Sequence, residues 1–313
     1  MAVLLGIPHQ ALAQGSHLLV ITGVGGDEEH TKEFHKWATS MIDAAKKKDG
    51  LGDNDIVYLS EKPDLDPQHI KARSTKENVE KAFADLAASA RPNDAVVIVL
   101  IGHGSFDGQQ AAFNLPGPDL TPADFSRLLG KLATQRVAFV NTASSSGAFL
   151  PAVAGANRVV VTATKTGGER NETRFPEFFV AAFDDDAADR DRNGRVSIAE
   201  AFEYAKTKVT TAFQQQGLIL TEHATLEDGA NGGLAASLFL APTAAALNVD
   251  TSDPAMKALV DERDAVDKQI AALKLMKASM DPAKYDAEME KLLTELALKT
   301  KAIRDRQTRK DDR

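Results

Sequence analysis

The chain has 313 residues and no cysteine. Disulfides, thiolate zinc sites and a cysteine nucleophile are therefore excluded. Also missing is any apolar run near the roughly 20 residues that span a bilayer as a helix. Positive charge is not in excess, since 37 basic against 45 acidic residues leave a formal net charge of −8 and a pI near 5.5. Phosphate contacts need a basic face, so general nucleic-acid binding is not expected. Repeats and low-complexity tracts are absent. What remains is an ordinary globular composition, 43% hydrophobic and 26% charged. The length suits one large domain or two smaller ones.

Residues 2–7 form a short apolar run, and Ala11-Leu12-Ala13 has the small-x-small form of a cleavage site ahead of Gln14. A basic region before the run is missing, and the run itself is short. Residues 1–13 read as the remnant of a secretory signal with its start upstream; the alternative is a plain N-terminal extension. The signal reading predicts a periplasmic or secreted protein. Absent cysteine does not oppose it, because a large core needs no disulfides for export.

Downstream, apolar strands alternate with helical patterns. Residues 17–23, HLLVITG, read as a strand ending in a Gly-rich turn, followed by a helix carrying Phe34, Trp37, Met41 and Ala45. That helix ends at Lys46-Lys47-Lys48 and Gly50. Residues 56–59 form a second strand, and Thr75 offers an N-cap to a helix with Val79, Phe83 and Leu86. Residues 95–101, AVVIVLI, have no polar alternation, which suits a parallel strand covered on both faces. Thr121-Pro122 opens a further helix, and residues 136–140 and 158–162 supply two more strands. The expected fold is α/β, a mostly parallel sheet flanked by helices over residues 14–250. After Asp253-Pro254, apolar residues at 3–4 spacing, with Arg263 interrupting, predict an antiparallel, coiled-coil-like helical hairpin over 251–313, broken at Met280-Asp281-Pro282.

Catalytic groups in open α/β sheets gather at the carboxyl ends of strands. Strand 95–101 runs into Gly102-His103-Gly104-Ser105, and strand 136–140 into Asn141-Thr142-Ala143-Ser144-Ser145-Ser146-Gly147. This pairing resembles the caspase-like peptidases, in particular their legumain-like branch. There a hydrophobic strand ends in His-Gly, and a second strand about 40 residues later ends in a small residue, the nucleophilic Cys, then x-Ser-Gly. His103-Gly104 matches the first motif and Ala143-Ser144-Ser145-Ser146-Gly147 the second. The strand RVVVTAT at 158–164, with Lys165-Thr166-Gly167-Gly168, resembles the family's next strand and pocket loop. The resemblance covers about residues 17–210 and implies the caspase-like fold.

It departs at one residue: Ser144 stands where the family's cysteine would be. A thiol is acidic enough for a neighbouring imidazole to activate it. A serine hydroxyl needs a hydrogen-bonded base oriented by a third group, and no motif supplies one. His103, Ser144 and Gly104 are therefore the family-equivalent catalytic positions of a protein expected to be inactive, a pseudoprotease with a scaffolding or interaction role. The competing expectation is a hydrolase or peptidase using a Ser144/His103 dyad.

Residues 189–200, DRDRNGRVSIAE, have the spacing of an EF-hand loop. Asp189, Asp191 and Asn193 fall at positions 1, 3 and 5, Gly194 at the sharp turn, the Arg195 carbonyl at 7, Ser197 at 9 and Glu200 at 12. These six ligands predict a Ca²⁺ site, with Phe175, Phe178, Phe179 and Phe183 in the entering helix and Phe202 and Tyr204 in the exiting one. The same residues also form a good turn and a capping box. Arg190, Arg192 and Arg195 dilute the charge and no second loop pairs with this one. The expected affinity is weak, roughly 10⁻⁴–10⁻³ M.

Other signals are plainer. His30 and His35 are five apart, so they do not share a helix face, and both read as surface residues. His223 reads as structural. Gly23-Val24-Gly25-Gly26 follows a strand but lacks nucleotide-loop spacing. A protein or peptide partner is expected, with the 251–313 hairpin as its contact or as an oligomer contact.

Overall fold

The computed structural model describes residues 15–229, 232–240, 247, 249–276 and 280–311. The signal reading of residues 1–13 lies outside them. In chain order the elements are β1 (Ser16–Thr22), α1 (Glu28–Lys47), β2 (Ile56–Ser60), β3 (Ala72–Arg73), α2 (Lys76–Ser89), β4 (Ala95–Ile101), β5 (Gly104–Phe106) and β6 (Ala111–Phe113). There follow α3 (Pro122–Leu129), β7 (Arg136–Asn141), α4 (Leu150–Val153), β8 (Arg158–Thr162), α5 (Phe175–Ala182), α6 (Ile198–Gln215) and β9 (Thr225–Asp228). The helices α7 (Pro254–Leu275) and α8 (Pro282–Asp311) close the described chain.

The protein is an α/β fold around a seven-stranded sheet of order β3-β2-β1-β4-β7-β8-β9. All pairings are parallel except β8 with β9. Every residue of β4 is buried, as an unbroken apolar strand at the centre of a parallel sheet requires. Alternate side chains of the strands feed two cores. Leu18, Val20, Val97, Val99, Val140 and Val161 pack against Phe34 and Met41 of α1 and against the apolar faces of α5 and α6. Leu19, Ile21, Val96, Ile98, Leu100 and Phe139 pack on Val79 and Phe83 of α2 and Phe125 and Leu128 of α3. Each such fully buried side chain contributes on the order of 1.5–3 kcal/mol relative to exposure.

The helix starts follow their local chemistry. Thr75 caps α2 through the Asn78 N–H. Thr121 and Asp124 form a reciprocal capping box at α3. Asp27 caps α1, whose first turn carries Glu28 and Glu29 and whose last carries Lys46 and Lys47, each matched to the helix dipole.

The chain crosses from β3 on one side of β1 to β4 on the other, so the strand order reverses between β1 and β4. The loops leaving their carboxyl ends, with the loop after β7, surround that reversal, where open α/β sheets place their ligands. The short antiparallel β5–β6 ribbon stands directly after β4.

The C-terminal helices pair antiparallel. Asp253 meets Arg306 and Glu262 meets Lys299, while Val266, Ile270 and Leu273 pack with Tyr285, Leu292 and Leu296. Among the described residues, no helix is long and apolar enough to cross a membrane.

Candidate functional site

Three strand ends converge. Gly23 and Gly102 come within van der Waals contact: a Cβ on Gly102 would lie 3.1 Å from Gly23 Cα. A Cβ on Gly104 would lie 2.2 Å from the Ser144 carbonyl oxygen. Only glycine permits these backbone approaches, and they set His103 and Ser144 on neighbouring strand ends.

His103 is half-buried. Its Nε2 lies 3.2 Å from the Gly25 carbonyl oxygen. A carbonyl only accepts, so Nε2 carries the proton and Nδ1 keeps its lone pair in the neutral ring. The imidazole stands edge-on to Phe34 and His30, with ring centroids 5.2 and 5.0 Å away. The Gly23–Gly26 turn, which lacks nucleotide-loop spacing, thus supplies a carbonyl that orients the histidine.

The Ser144 hydroxyl bonds elsewhere. It donates to the Gly104 carbonyl at 2.9 Å and accepts from the Gly104 N–H at 3.2 Å. Among the described residues no hydrogen bond joins it to His103. Ser145 is left-handed at φ 57°, uncommon for a residue with a Cβ. Its N–H donates to the Glu169 carbonyl, and its buried hydroxyl has no hydrogen-bond partner among the described residues. Ser146 bonds Thr164 at 3.2 Å. The serine run is therefore a tightly held turn rather than loose polar filler.

His30 corrects the surface reading of this residue. It is the neighbour of His103, and it bridges Asp27 through Nδ1 at 2.7 Å and Glu172 through Nε2 at 3.1 Å. The hydrogen bond to Asp27 raises its pKa above the ordinary histidine value, with Glu172 adding to the shift against a smaller burial cost. Two carboxylates on two ring nitrogens favour the imidazolium, in which both nitrogens donate. Its neighbour His35 stacks on Tyr58 instead. The i, i+3 pair Asp27/His30 was the legible signal for this cluster; Glu172 left none.

The 189–200 loop folds around its acidic side chains. Asp189 accepts from the Asn193 and Gly194 N–H groups at 3.0 and 2.8 Å. Asp191 Oδ1 accepts from Asn193 N and Asn193 Oδ1 from Arg195 N. Glu200 Oε1 accepts from Arg190 N, while Oε2 holds the Ser197 N–H and hydroxyl in a capping box at the start of α6. Carboxylate oxygens of Asp189, Asp191 and Glu200 all lie within 4.8 Å of one another. Burial, reinforced by Asp191 and Glu200, pushes Asp189 up to about 6. Gly194 has φ +85°, the turn that position needs.

Two details differ from the expected EF-hand outline. The entering helix α5 ends at Ala182, and residues 183–188 turn before the loop begins. The Arg195 side chain points away from the acidic group, with its guanidinium 3.7 Å from the Phe239 ring centroid. From α7, Lys274 places its ammonium 2.6 Å from Asp191 Oδ2 and 3.9 Å from Glu200 Oε1. Arg263 donates to the Asn193 carbonyl at 2.8 Å. The arginine that interrupts the apolar stripe of α7 is thus its anchor on this loop. Of the six expected ligands, the three carboxylates converge, the oxygen chemistry a hard cation takes, and the Lys274 ammonium stands beside two of them.

Residues 218–220, apolar and strand-like in sequence, are not a strand; Ile219 is 86% exposed. Glu222 beyond them caps α5 by accepting from the Arg174 and Phe175 N–H groups, both at 2.8 Å. Burial raises it to about 7. His223 pairs with Glu169 at 2.8 Å. Glu222 and His223 line a cleft of about 610 Å³ that also includes Phe202, Lys206 and Leu226.

No protein-family model and no curated protein match the chain. Among solved structures it is similar to the crystal structure of protein GSU0716 from Geobacter sulfurreducens, at 12% identity and a TM-score of 0.44, over 67% of this chain and 92% of that one.

Proposed function

We propose that the chain is a calcium-binding, catalytically inactive caspase/legumain-like protein, a pseudoprotease with a scaffolding or interaction role. One observation carries the inactive reading: the Ser144 hydroxyl is spent on both backbone groups of Gly104 and not on His103. A serine nucleophile needs its proton drawn off by a hydrogen-bonded base. Calcium at the 189–200 loop is supported by the spacing and by the clustered oxygens of Asp189, Asp191 and Glu200. Asn193, the Arg195 carbonyl and Ser197 would complete the set, and the ion would supply local rigidity between α5 and α6. The apolar signal-like run supports an exported location. The partner is a protein or peptide, with the α7–α8 hairpin as the contact.

Incubating purified protein with reporter peptides ending in Asn, Asp or Arg tests the inactive reading. No cleavage is expected, with or without Ca²⁺. Cleavage that Ser144→Ala abolishes would establish the second reading, a Ser144/His103 hydrolase. That reading draws on one fact, the Gly25 carbonyl, which leaves His103 Nδ1 able to accept a proton. Ser144→Cys asks whether the scaffold regains activity when the thiol is restored.

A further inference from the structure

The acidic loop and the hairpin meet at one side chain. Lys274, in the last turn of α7, lies 2.6 Å from Asp191 and 3.9 Å from Glu200. Calcium takes its oxygens at about 2.3–2.6 Å. An ion shared by Asp189, Asp191 and Glu200, whose oxygens lie within 4.8 Å of one another, would sit in the space that ammonium fills. Two cations cannot share it. On the same helix, Asp267 pairs with Arg263 through Oδ2 at 2.7 Å, and its buried Oδ1 has no hydrogen-bond partner among the described residues. Asp191 and Asp267 lie within electrostatic reach of one another.

We infer that Lys274 is the resident counter-cation of the 189–200 loop, and that it and Ca²⁺ exclude one another there. Calcium binding then frees the last turn of α7 from the loop, while Arg263 keeps its hold on the Asn193 carbonyl. This rests on the calcium reading of the loop. The coupling is reciprocal: the factor by which Lys274 weakens calcium is the factor by which calcium weakens the Lys274 contact. The hairpin thereby becomes a cation-responsive arm of the domain.

The test is calorimetric titration of the full chain with CaCl₂, comparing the wild type with Lys274→Met, Lys274→Gln and Lys274→Arg. Asp189→Ala/Glu200→Ala serves as the blank. Removing the charge is expected to tighten calcium binding about tenfold, or about 1.4 kcal/mol; Lys274→Arg keeps the wild-type value. In parallel, amide exchange over residues 270–276 is expected to quicken on calcium addition in the wild type and to be calcium-independent in Lys274→Met. Two charge-neutral variants guard against a folding defect in one. Calcium binding within threefold of wild type, or weaker, in both neutral variants overturns the competition and leaves the calcium reading standing. If neither the wild type nor the variants give calcium heat above the blank, both readings fall together.

Discussion

Ser144 and Gly104 grip each other through both backbone groups of the glycine: the serine hydroxyl donates to its carbonyl at 2.9 Å and accepts from its N–H at 3.2 Å. Two neighbouring parallel strands, β4 and β7, are joined at their carboxyl ends by this pair. A buried hydroxyl with both a donor and an acceptor partner is satisfied, and moving it to another partner would leave the Gly104 N–H and C=O to find replacements.

Gly104→Ala is expected to destabilise the fold by about 1–3 kcal/mol, the usual range for forcing atoms into a closed space. Its new Cβ would fall 2.2 Å from the Ser144 carbonyl oxygen, a backbone atom of the turn that follows β7. Ser144→Ala should cost about 1 kcal/mol. Because both act on one contact, the double variant should lose less than the sum. Urea unfolding of the three variants checks this. A Gly104→Ala midpoint equal to wild type would show that the two strand ends are not in such contact.

His30 gives a pH prediction. Its pKa is raised chiefly by the hydrogen bond to Asp27, with Glu172 on the other ring nitrogen. The charged form is thus favoured in the folded state. Its stabilisation is complete below about 6.5, the unfolded value, and is lost as pH rises through the raised folded value. The NMR titration midpoint of His30 should lie above 6.5 and move down in Asp27→Asn. A midpoint unmoved by that substitution would count against the pairing.

The strands and the direction of the sheet were legible because their apolar runs are unbroken, and β4 and β8 fall at the expected residues. The acidic cluster of the 189–200 loop was legible because the spacing of Asp189, Asp191 and Glu200 is local in sequence. Partners brought by tertiary contact were not. Gly25 reaches His103 across 78 positions, Glu172 comes to His30 from a loop with no motif, and Lys274 lies 83 residues from Asp191. Arg263 left a visible trace as a charge in an apolar stripe, but its target, a backbone carbonyl, has no side-chain signature. In the apolar run 218–220 after α6, Leu218 and Ile219 are exposed while Leu220 packs on the core, and no strand forms there.

Glu222 should tilt the stability curve. Burial raises its carboxyl from the ordinary 4.5 to about 7 despite the two N–H groups it accepts from. The protonated acid is therefore favoured in the folded state. Stability from this group is full below pH 4.5 and is lost between there and pH 7, on the order of 3 kcal/mol. Glu222→Gln, which cannot ionise, should flatten that part of the curve. Unfolding free energies measured from pH 4 to 8 test it, and parallel curves for the two proteins would refute it.

The buried Arg263–Asp267 pair makes a final prediction, about what it does rather than what it weighs. Arg263 is 1% exposed and also holds Thr300 on α8 and the Asn193 carbonyl on the loop. Arg263→Ala should cost about 3–5 kcal/mol, because it strands the Asp267 carboxylate without its hydrogen-bonded cation. Arg263→Met with Asp267→Leu removes both charges, and such replacements often leave stability unchanged or improved. Here the double variant should regain most of the lost stability yet leave the Asn193 carbonyl without its donor from α7. Amide exchange in residues 190–196 should then stay faster than in the wild type even where the global midpoint recovers. That split separates an anchor from a merely structural pair: full recovery of both measurements would mean that Arg263 serves only to neutralise Asp267.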